Sequence, residues 1–333
     1  MNEIKVGLVG AGEIAQNFHL PIFYRLQNAR IYGIYDKIKS KAEAIAQKYE
    51  IPLVFDSLEE MLSSNDIEAL DICTPTDSHC EIALAGIENK KHCFIEKPIA
   101  RNFQEAQLIK EAAEKFNVKV MVGTNQRFRY DAMMLKNYVQ SGEIGDIFYV
   151  QGSWLQQKRG NEWRQQLDRS GGGVLIDLGV SLIDSLLWIC NFPKVRAVKA
   201  GTFRHLTNSV EDVCISTINF ENGSVATLEM SWSLFSSKNT FAFNVYGSKG
   251  AAKINPLQLF KSGGDVFEPV TSIDALSNIA IHKKSFESEI KHFINSINGI
   301  TQEVSTPAEA AMTMKIIEMM YKSAELGTEM KVN

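Results

Sequence analysis

Three short stretches of the sequence combine residue types that can do chemistry. In Glu96-Lys97-Pro98 a lysine stands at the exit of an apolar run. Partial desolvation there would lower an amine pKa enough to exchange a proton near neutrality, and Pro98 restricts Lys97 to extended geometry. A lysine in a surface turn would read the same way, so the surrounding elements must decide. The second stretch runs Gly171-Gly-Gly-Val-Leu-Ile-Asp177-Leu-Gly-Val-Ser181-Leu-Ile-Asp184. If it is helical from about Val174, Asp177, Ser181 and Asp184 fall at i, i+4 and i+7 on one face, with Leu175, Leu178, Leu182 and Leu186 on the core side. Two carboxylates and a hydroxyl on one face suit a polyhydroxylated ligand; the competing reading is a solvated polar face. The third is Thr74-Pro75-Thr-Asp-Ser-His79, with Asn125, Arg127 and Phe128 further on. Threonine and asparagine can hydrogen-bond carboxamides or sugar hydroxyls, whereas His79 could simply cap its helix. Trp154, Trp163 and Arg164 are candidates to line a sugar pocket or to serve as core and rim.

Other chemistries lack support. No Ser-His-Asp or Cys-His set can be assembled for nucleophilic catalysis. His19, His92, His205, His282 and His292 show no metal-ligand spacing, and no metal is expected. Cys73, Cys80, Cys93, Cys190 and Cys214 are odd in number with no C-x-x-C spacing, which argues against a disulfide framework and for reduced thiols in the cytoplasm. A formal net charge of −4 argues against a phosphate-backbone binder. The chain shows no signal peptide, and no apolar run reads as long enough to span a membrane.

The elements that must position these residues begin with Ile4–Val9, an apolar run that reads as a buried strand. It leads into Gly10-x-Gly12-x-x-Ala15, which fits the dinucleotide fingerprint. Gly10 permits a tight turn, Gly12 lets the backbone approach a pyrophosphate, and Ala15 lets the new helix, opened by Glu13 and Ile14, pack on the strand. The N–H groups at that helix start would face the anion. A second strand-like run, Arg30–Tyr35, ends at Asp36. It lies 21 positions beyond Ala15, where an acid accepts hydrogen bonds from an adenosine ribose. Asp36 also repels a 2′-phosphate, favouring NAD over NADP, while Lys37 softens that preference.

A length of 333 residues suggests about two domains. Residues 1–122 alternate strand and helix patterns, as in a doubly wound parallel sheet of Rossmann type. Helices are expected over Ser40–Tyr49, Ser57–Leu62, Glu81–Asn89 and Phe103–Phe116. Strands are expected over Leu53–Phe55, Ala69–Cys73, His92–Ile95 and Lys119–Val122. Residues 123–333 read as an α+β domain with a largely antiparallel open sheet. Its strands are Ile147–Leu155, Val195–Phe203, Val213–Phe220, Ser224–Trp232 and Phe241–Tyr246, with an Asn-Gly hairpin turn at Asn222-Gly223. A helix over Ala132–Ser141 precedes these strands. The closing helices are Phe286–Asn298 and Pro307–Leu326, the latter opened by a Thr306/Glu309 capping box.

Together these stretches resemble the Gfo/Idh/MocA oxidoreductase family over nearly the whole chain. The resemblance is carried by Gly10-x-Gly12-x-x-Ala15, His19-Leu-Pro21, Thr74-Pro75 with His79, Glu96-Lys97-Pro98, Gly123 with Arg127-Phe128, and Gly171-Gly-Gly173 with Asp177-x-Gly179. It implies a Rossmann domain followed by an α/β domain whose open sheet forms an oligomer interface, in a homodimer or homotetramer. It implies NAD, or NADP, as cofactor and a sugar, cyclitol or related secondary alcohol or ketone as substrate. The cofactor would be held by Gly10, Gly12, Glu13, Ile14, Ala15, Asp36, Thr74, Pro75, His79, Glu96, Lys97 and Asn125. Lys97 would polarise the reacting hydroxyl, Asp177 would hold substrate or tune the base, and Asp184 matches the family's final acid. Arg127, Trp163, Arg164 and Ser181 complete the expected substrate contacts. One position departs from the pattern: the family's acid/base His, in some members Tyr, is Ser181 here. A serine hydroxyl is too weak an acid or base for that role. Either Lys97 passes the proton through Ser181, Asp177 or water, or the chain is a non-catalytic NAD-binding sensor. Cofactor-assisted glycoside cleavage is a weaker third reading, since it needs a base at the same position.

Overall fold

The computed structural model describes residues 3–157, 162–233, 239–261, 269–273 and 278–332. Within it the chain forms two compact units, each with its own sheet. One comprises Met1–Thr124 and Phe286–Ala311, the other Asn125–Ser285 and Met312–Asn333.

In the first unit, strands β1 (Ile4–Val9), β2 (Ala29–Tyr35), β3 (Leu53–Val54), β4 (Ala69–Ile72), β5 (His92–Glu96) and β6 (Val120–Gly123) form one parallel sheet in the order β3-β2-β1-β4-β5-β6. Val6, Leu8, Val9, Leu70, Ile72 and Ile95 are fully buried, as expected where helices cover both faces of a parallel sheet. The strand order reverses between β1 and β4, so the loops leaving these strands open a crevice at their carboxyl ends. Local signals set the connecting helices. Ser57 caps Leu58–Ser63 by accepting from Glu60 N at 3.1 Å, and Asn102 caps Phe103–Phe116 by accepting from Glu105 N at 2.9 Å.

In the second unit, nine strands form one mixed sheet in the order β14-β13-β12-β11-β7-β10-β9-β8-β15. They are β7 (Ile147–Leu155), β8 (Val195–Phe203), β9 (Val213–Phe220), β10 (Val225–Ser231), β11 (Thr240–Gly247), β12 (Gly250–Ile254), β13 (Leu257–Lys261), β14 (Pro269–Ile273) and β15 (Met330–Lys331). Among the described residues β7 and β10 are the one parallel pair of this sheet, and the other pairings are antiparallel. The hairpin turn is present, with Gly223 at φ +86°. The sequence reading missed β12 to β15, which are short and lack sustained alternation.

Residues 174–189 form the helix that carries Asp177. The stretch Leu167–Ile189 corrects the expectation that no apolar run is long enough to span a membrane: its length and composition would suffice. It is a core segment, with Leu175, Leu178, Leu182 and Leu186 buried. The closing helix Pro307–Leu326 has its capping box: Thr306 N donates to Glu309 Oε2 at 2.9 Å, and Glu309 N to Thr306 Oγ1 at 3.3 Å.

Candidate active site

The turn after β1 is shaped by three contacts. Gly10 N donates to Tyr35 O at 2.8 Å, and Ala11 N donates to Asp36 Oδ2 at 2.8 Å. Asp36 Oδ1 accepts from Ile38 N at 2.9 Å. Asp36 therefore braces the turn with one bond per oxygen, and an ionised carboxylate keeps further acceptor capacity for ribose hydroxyls.

The two glycines have different reasons to be glycine. Gly10 has φ +93°, and a Cβ there would lie 2.9 Å from Cys73 O and from Thr74 Cγ2, so the fold itself requires it. At Gly12 the nearest atom to a Cβ would be Cys73 O at 3.7 Å, an ordinary contact, and φ is not positive. The protein's own packing leaves room for a methyl group at Gly12. The cradle is thus open where a pyrophosphate would approach the backbone. Residues 13–23 are helical, with Gln16 N donating to Gly12 O at 3.1 Å. Ala15 is fully buried, Ile14 half-buried and Glu13 exposed. This donor set and open backbone fit the anionic dinucleotide that the fingerprint implies.

The loop after β4 packs beside this turn. Ser78 Oγ donates to Thr74 Oγ1 at 2.8 Å and lies 2.9 Å from Pro75 O, which leaves Thr74 and Pro75 half-buried at the crevice. His79 is among the residues expected to hold the cofactor. It is buried, with Nδ1 2.8 Å from Pro98 O and Nε2 2.9 Å from Thr74 O. Both ring nitrogens lie within hydrogen-bond distance of a main-chain carbonyl, and the single N–H of a neutral ring donates to one of them, so His79 packs between the Thr74 loop and the segment after Lys97. Burial pushes its pKa below the usual histidine value, against the pull of the two carbonyls.

Glu96 and Lys97 end β5 at the same edge of the sheet. Lys97 is half-buried, and its backbone N donates to Glu96 Oε2 at 3.1 Å. Glu96 is buried and meets His19 Nε2 through Oε1 at 3.1 Å. Each oxygen of its carboxylate thus has one partner within the protein. On the other side of the imidazole, Nδ1 lies 2.9 and 3.0 Å from the two oxygens of Asp71. The Cys73 thiol donates to Asp71 Oδ1 at 3.5 Å. Burial drives the thiol pKa far up, keeping it protonated as a donor. Sequence reasoning missed this cluster. Its signal was a single Asp71 in the otherwise apolar β4 and a histidine four residues after Ala15.

In the second unit, Asp177 sits in a π-helical turn, Leu175–Gly179, that runs into the α-helix Val180–Ile189. Such wide turns recur at functional sites. Asp177 keeps partial exposure; its Oδ2 accepts from Trp232 Nε1 at 3.3 Å, and its Oδ1 lies 3.6 Å from Arg164 Nε. The Arg164 guanidinium rests over the half-buried Trp163 ring at 4.5 Å. Trp232, buried at the end of β10, was not anticipated as a partner. Ser181 is buried one turn on.

Asp184 and Arg127, both expected at the substrate site, face each other. Arg127 donates to Asp184 from Nε at 2.8 Å and from Nη2 at 2.6 Å, with both side chains almost fully buried. A bidentate buried pair of this kind satisfies its own charges. The Asp184 carboxylate and the Arg127 fork are engaged with each other in this structure. Asn125 Nδ2 donates to Ser285 Oγ at 3.0 Å and lies 3.3 Å from His282 Nδ1.

The glycine triplet has a structural cause. Glu211 accepts from Gly173 N and Leu175 N at 3.0 Å and from the Tyr321 hydroxyl at 2.8 Å. A Cβ at Gly172 would clash with the Tyr321 hydroxyl, and one at Gly173 with Glu211 O. Burial pushes the Glu211 carboxyl up, opposed by these donors. The carboxylate thereby takes up N–H groups at the start of the Asp177 helix, which otherwise lack partners.

Two family models match the chain. The Gfo/Idh/MocA model described as an oxidoreductase family with an NAD-binding Rossmann fold covers residues 4–124. Its companion, the oxidoreductase family C-terminal alpha/beta domain, covers residues 136–332. The chain is 26% identical over 348 residues to D-glucoside 3-dehydrogenase of Escherichia coli (strain K12), spanning 99% of this chain and 97% of that one. It is 29% identical over 211 residues to an NADP(+)-dependent scyllo-inositol 2-dehydrogenase of Bacillus subtilis (strain 168), spanning 63% and 57%. Levoglucosan dehydrogenase in complex with NADH and levoglucosan superposes with a TM-score of 0.89 at 24% identity, covering 99% of this chain and all of that one.

Proposed function

Since the chain belongs to the Gfo/Idh/MocA family of NAD-binding oxidoreductases, we propose that it moves a hydride between nicotinamide and a secondary alcohol or ketone of a sugar, cyclitol or related compound. The observation that carries this reading is Lys97: it leaves β5 at the carboxyl edge of the first sheet, where ligands bind in such folds, with its amide fixed by Glu96. When bound, the nicotinamide supplies the hydride acceptor or donor. Lys97 polarises the reacting oxygen and, in oxidation, takes the hydroxyl proton on Nζ; in reduction it returns that proton. Asp177, oriented by Trp232 and balanced by Arg164, accepts hydrogen bonds from substrate hydroxyls. Residues 1–122 would bind cofactor and 123–333 substrate. Asp36 favours NAD, and the NADP-dependent relative supports NADP as a second cofactor.

Ser181 removes the family's usual proton carrier, so Lys97 carries the proton alone or through water. The sensor reading is not favoured beside relatives named as dehydrogenases. Five free cysteines support a cytoplasmic setting. Self-association would use the outer face of the second sheet, where Phe203 on β8 and Ile215 on β9 are exposed; light scattering measures it.

The test is turnover of a panel of glucosides, anhydrosugars and inositols with NAD, followed by absorbance at the NADH band. Lys97→Met should lower kcat/KM by about 10²–10⁴-fold, the usual loss for a positioned acid/base, while NADH still binds. Equal turnover in both proteins would remove Lys97 from the reaction.

A further inference from the structure

The buried cluster behind Lys97 is more elaborate than a strand end needs. His19 is fully buried, and each of its ring nitrogens faces a carboxylate oxygen, Asp71 on β4 and Glu96 on β5. Asp71 holds the ring's pKa well above the usual histidine value despite burial, so the protonated ring donates from both nitrogens, to Asp71 on one side and to Glu96 on the other. The Phe94 ring meets it edge-on at 5.7 Å, and the Phe286 ring lies at 6.1 Å, which keeps water away. Asp71, Cys73 and Glu96 are the titratable groups that face it. The Glu96 carboxylate is then held on both oxygens, by His19 on one side and by the Lys97 amide on the other. Space is reserved for it: a Cβ on Gly123 would fall 3.1 Å from Glu96 Oε1.

We propose that His19 is a positioning residue: bridging Asp71 and Glu96, it fixes the Glu96 carboxylate and through it the backbone from which Lys97 reaches the reacting oxygen. The proposal rests on the assignment of Lys97 as the proton-handling group. The same cluster reaches the cofactor turn, because Cys73, which donates to Asp71, also packs its carbonyl against Gly10. Without the cation, two buried carboxylates would be left with one proton donor fewer. Glu96 would take up a proton or turn away, and either change loosens its hold on Lys97.

The experiment is a cycle of His19→Gln, Glu96→Gln and the double variant in the full chain. Kinetics are read with sugar and NAD, NADH affinity by fluorescence, and the Lys97 amide by proton–nitrogen NMR. Each single variant should lower kcat by roughly 10- to 100-fold, as expected for a small misplacement of a reacting group, with NADH affinity changed less than about threefold. The double variant should lose no more than the worse single, because the two residues act in series. Additive losses, or a His19→Gln protein that melts earlier but keeps wild-type kcat, overturn the proposal. If His19→Gln does not fold, Asp71→Asn is read by the same measurements. If no sugar is turned over even by the wild type, the functional reading fails while the amide resonance still decides this one. A shift shared by His19→Gln and Glu96→Gln supports it, and an unmoved resonance overturns it.

Discussion

At the residue scale the two glycines of the β1 turn should respond oppositely to the same methyl group. Gly12→Ala meets only Cys73 O at 3.7 Å, so the protein should fold and melt as wild type. Dinucleotide affinity should nevertheless drop by about tenfold or more, near 1.4 kcal/mol. Gly10→Ala must hold a side chain at φ +93° against the Cys73 carbonyl and should lose stability before cofactor is added. Thermal melts with and without NADH separate the two. His19 gives a pH signature. Burial by itself would strip its proton, but the Asp71 carboxylate overcomes this and holds its pKa well above the usual histidine value. The folded state therefore binds that proton more tightly than the unfolded chain. The stabilisation is complete below about 6.5 and is lost as pH rises through the folded value. Denaturation midpoints should fall on the alkaline side for wild type and flatten for His19→Gln. The places of the glycines, Asp36 and Lys97 at the strand ends were legible in sequence because they follow from backbone position alone. The pairing of Asp184 with Arg127 was not, since the two lie far apart in sequence and only folding shows that the fork meets the carboxylate.

At the scale of elements, that pair ties the 3₁₀ turn Asn125–Phe128 to the helix Val180–Ile189. Asp184→Asn leaves a buried guanidinium without its counter-charge and should cost about 3–5 kcal/mol. Replacing both by apolar residues, Arg127→Met with Asp184→Leu, should cost much less. Urea titrations of the three proteins check this. A catalytic Asp184 would instead show wild-type stability with lost turnover. The helix and strand positions were largely readable from apolar periodicity and caps, down to the ends of Phe103–Phe116 and Pro307–Leu326. The π turns at Ala15–His19 and Leu175–Gly179 were not. A 3.6-residue period predicts one polar face for Asp177, Ser181 and Asp184; the wider turn leaves Asp177 partly exposed while the other two are buried.

At the scale of the whole molecule, the first unit is completed by chain that comes late in the sequence. Phe293 packs on Phe94 with ring centroids 5.4 Å apart, and Phe286 stacks on Phe18 at 4.2 Å. Ser305 O accepts from Val122 N at 2.9 Å, and Ser305 Oγ accepts from Thr124 Oγ1 at 2.7 Å. A chain cut after Thr124 exposes Phe94 and frees the edge of β6, so it should show broad amide resonances and no cooperative melt. Adding back residues 286–311 on a flexible tether should restore the melt.

The same arrangement sets a schedule for synthesis. A ribosome has already released every strand of the first sheet, yet the aromatic plug for its core emerges only after strands β7 to β14 of the second sheet have been made. At typical elongation rates that is a wait on the order of ten seconds. Through that interval the nascent polypeptide carries an unsealed apolar surface, the condition under which partly made chains aggregate.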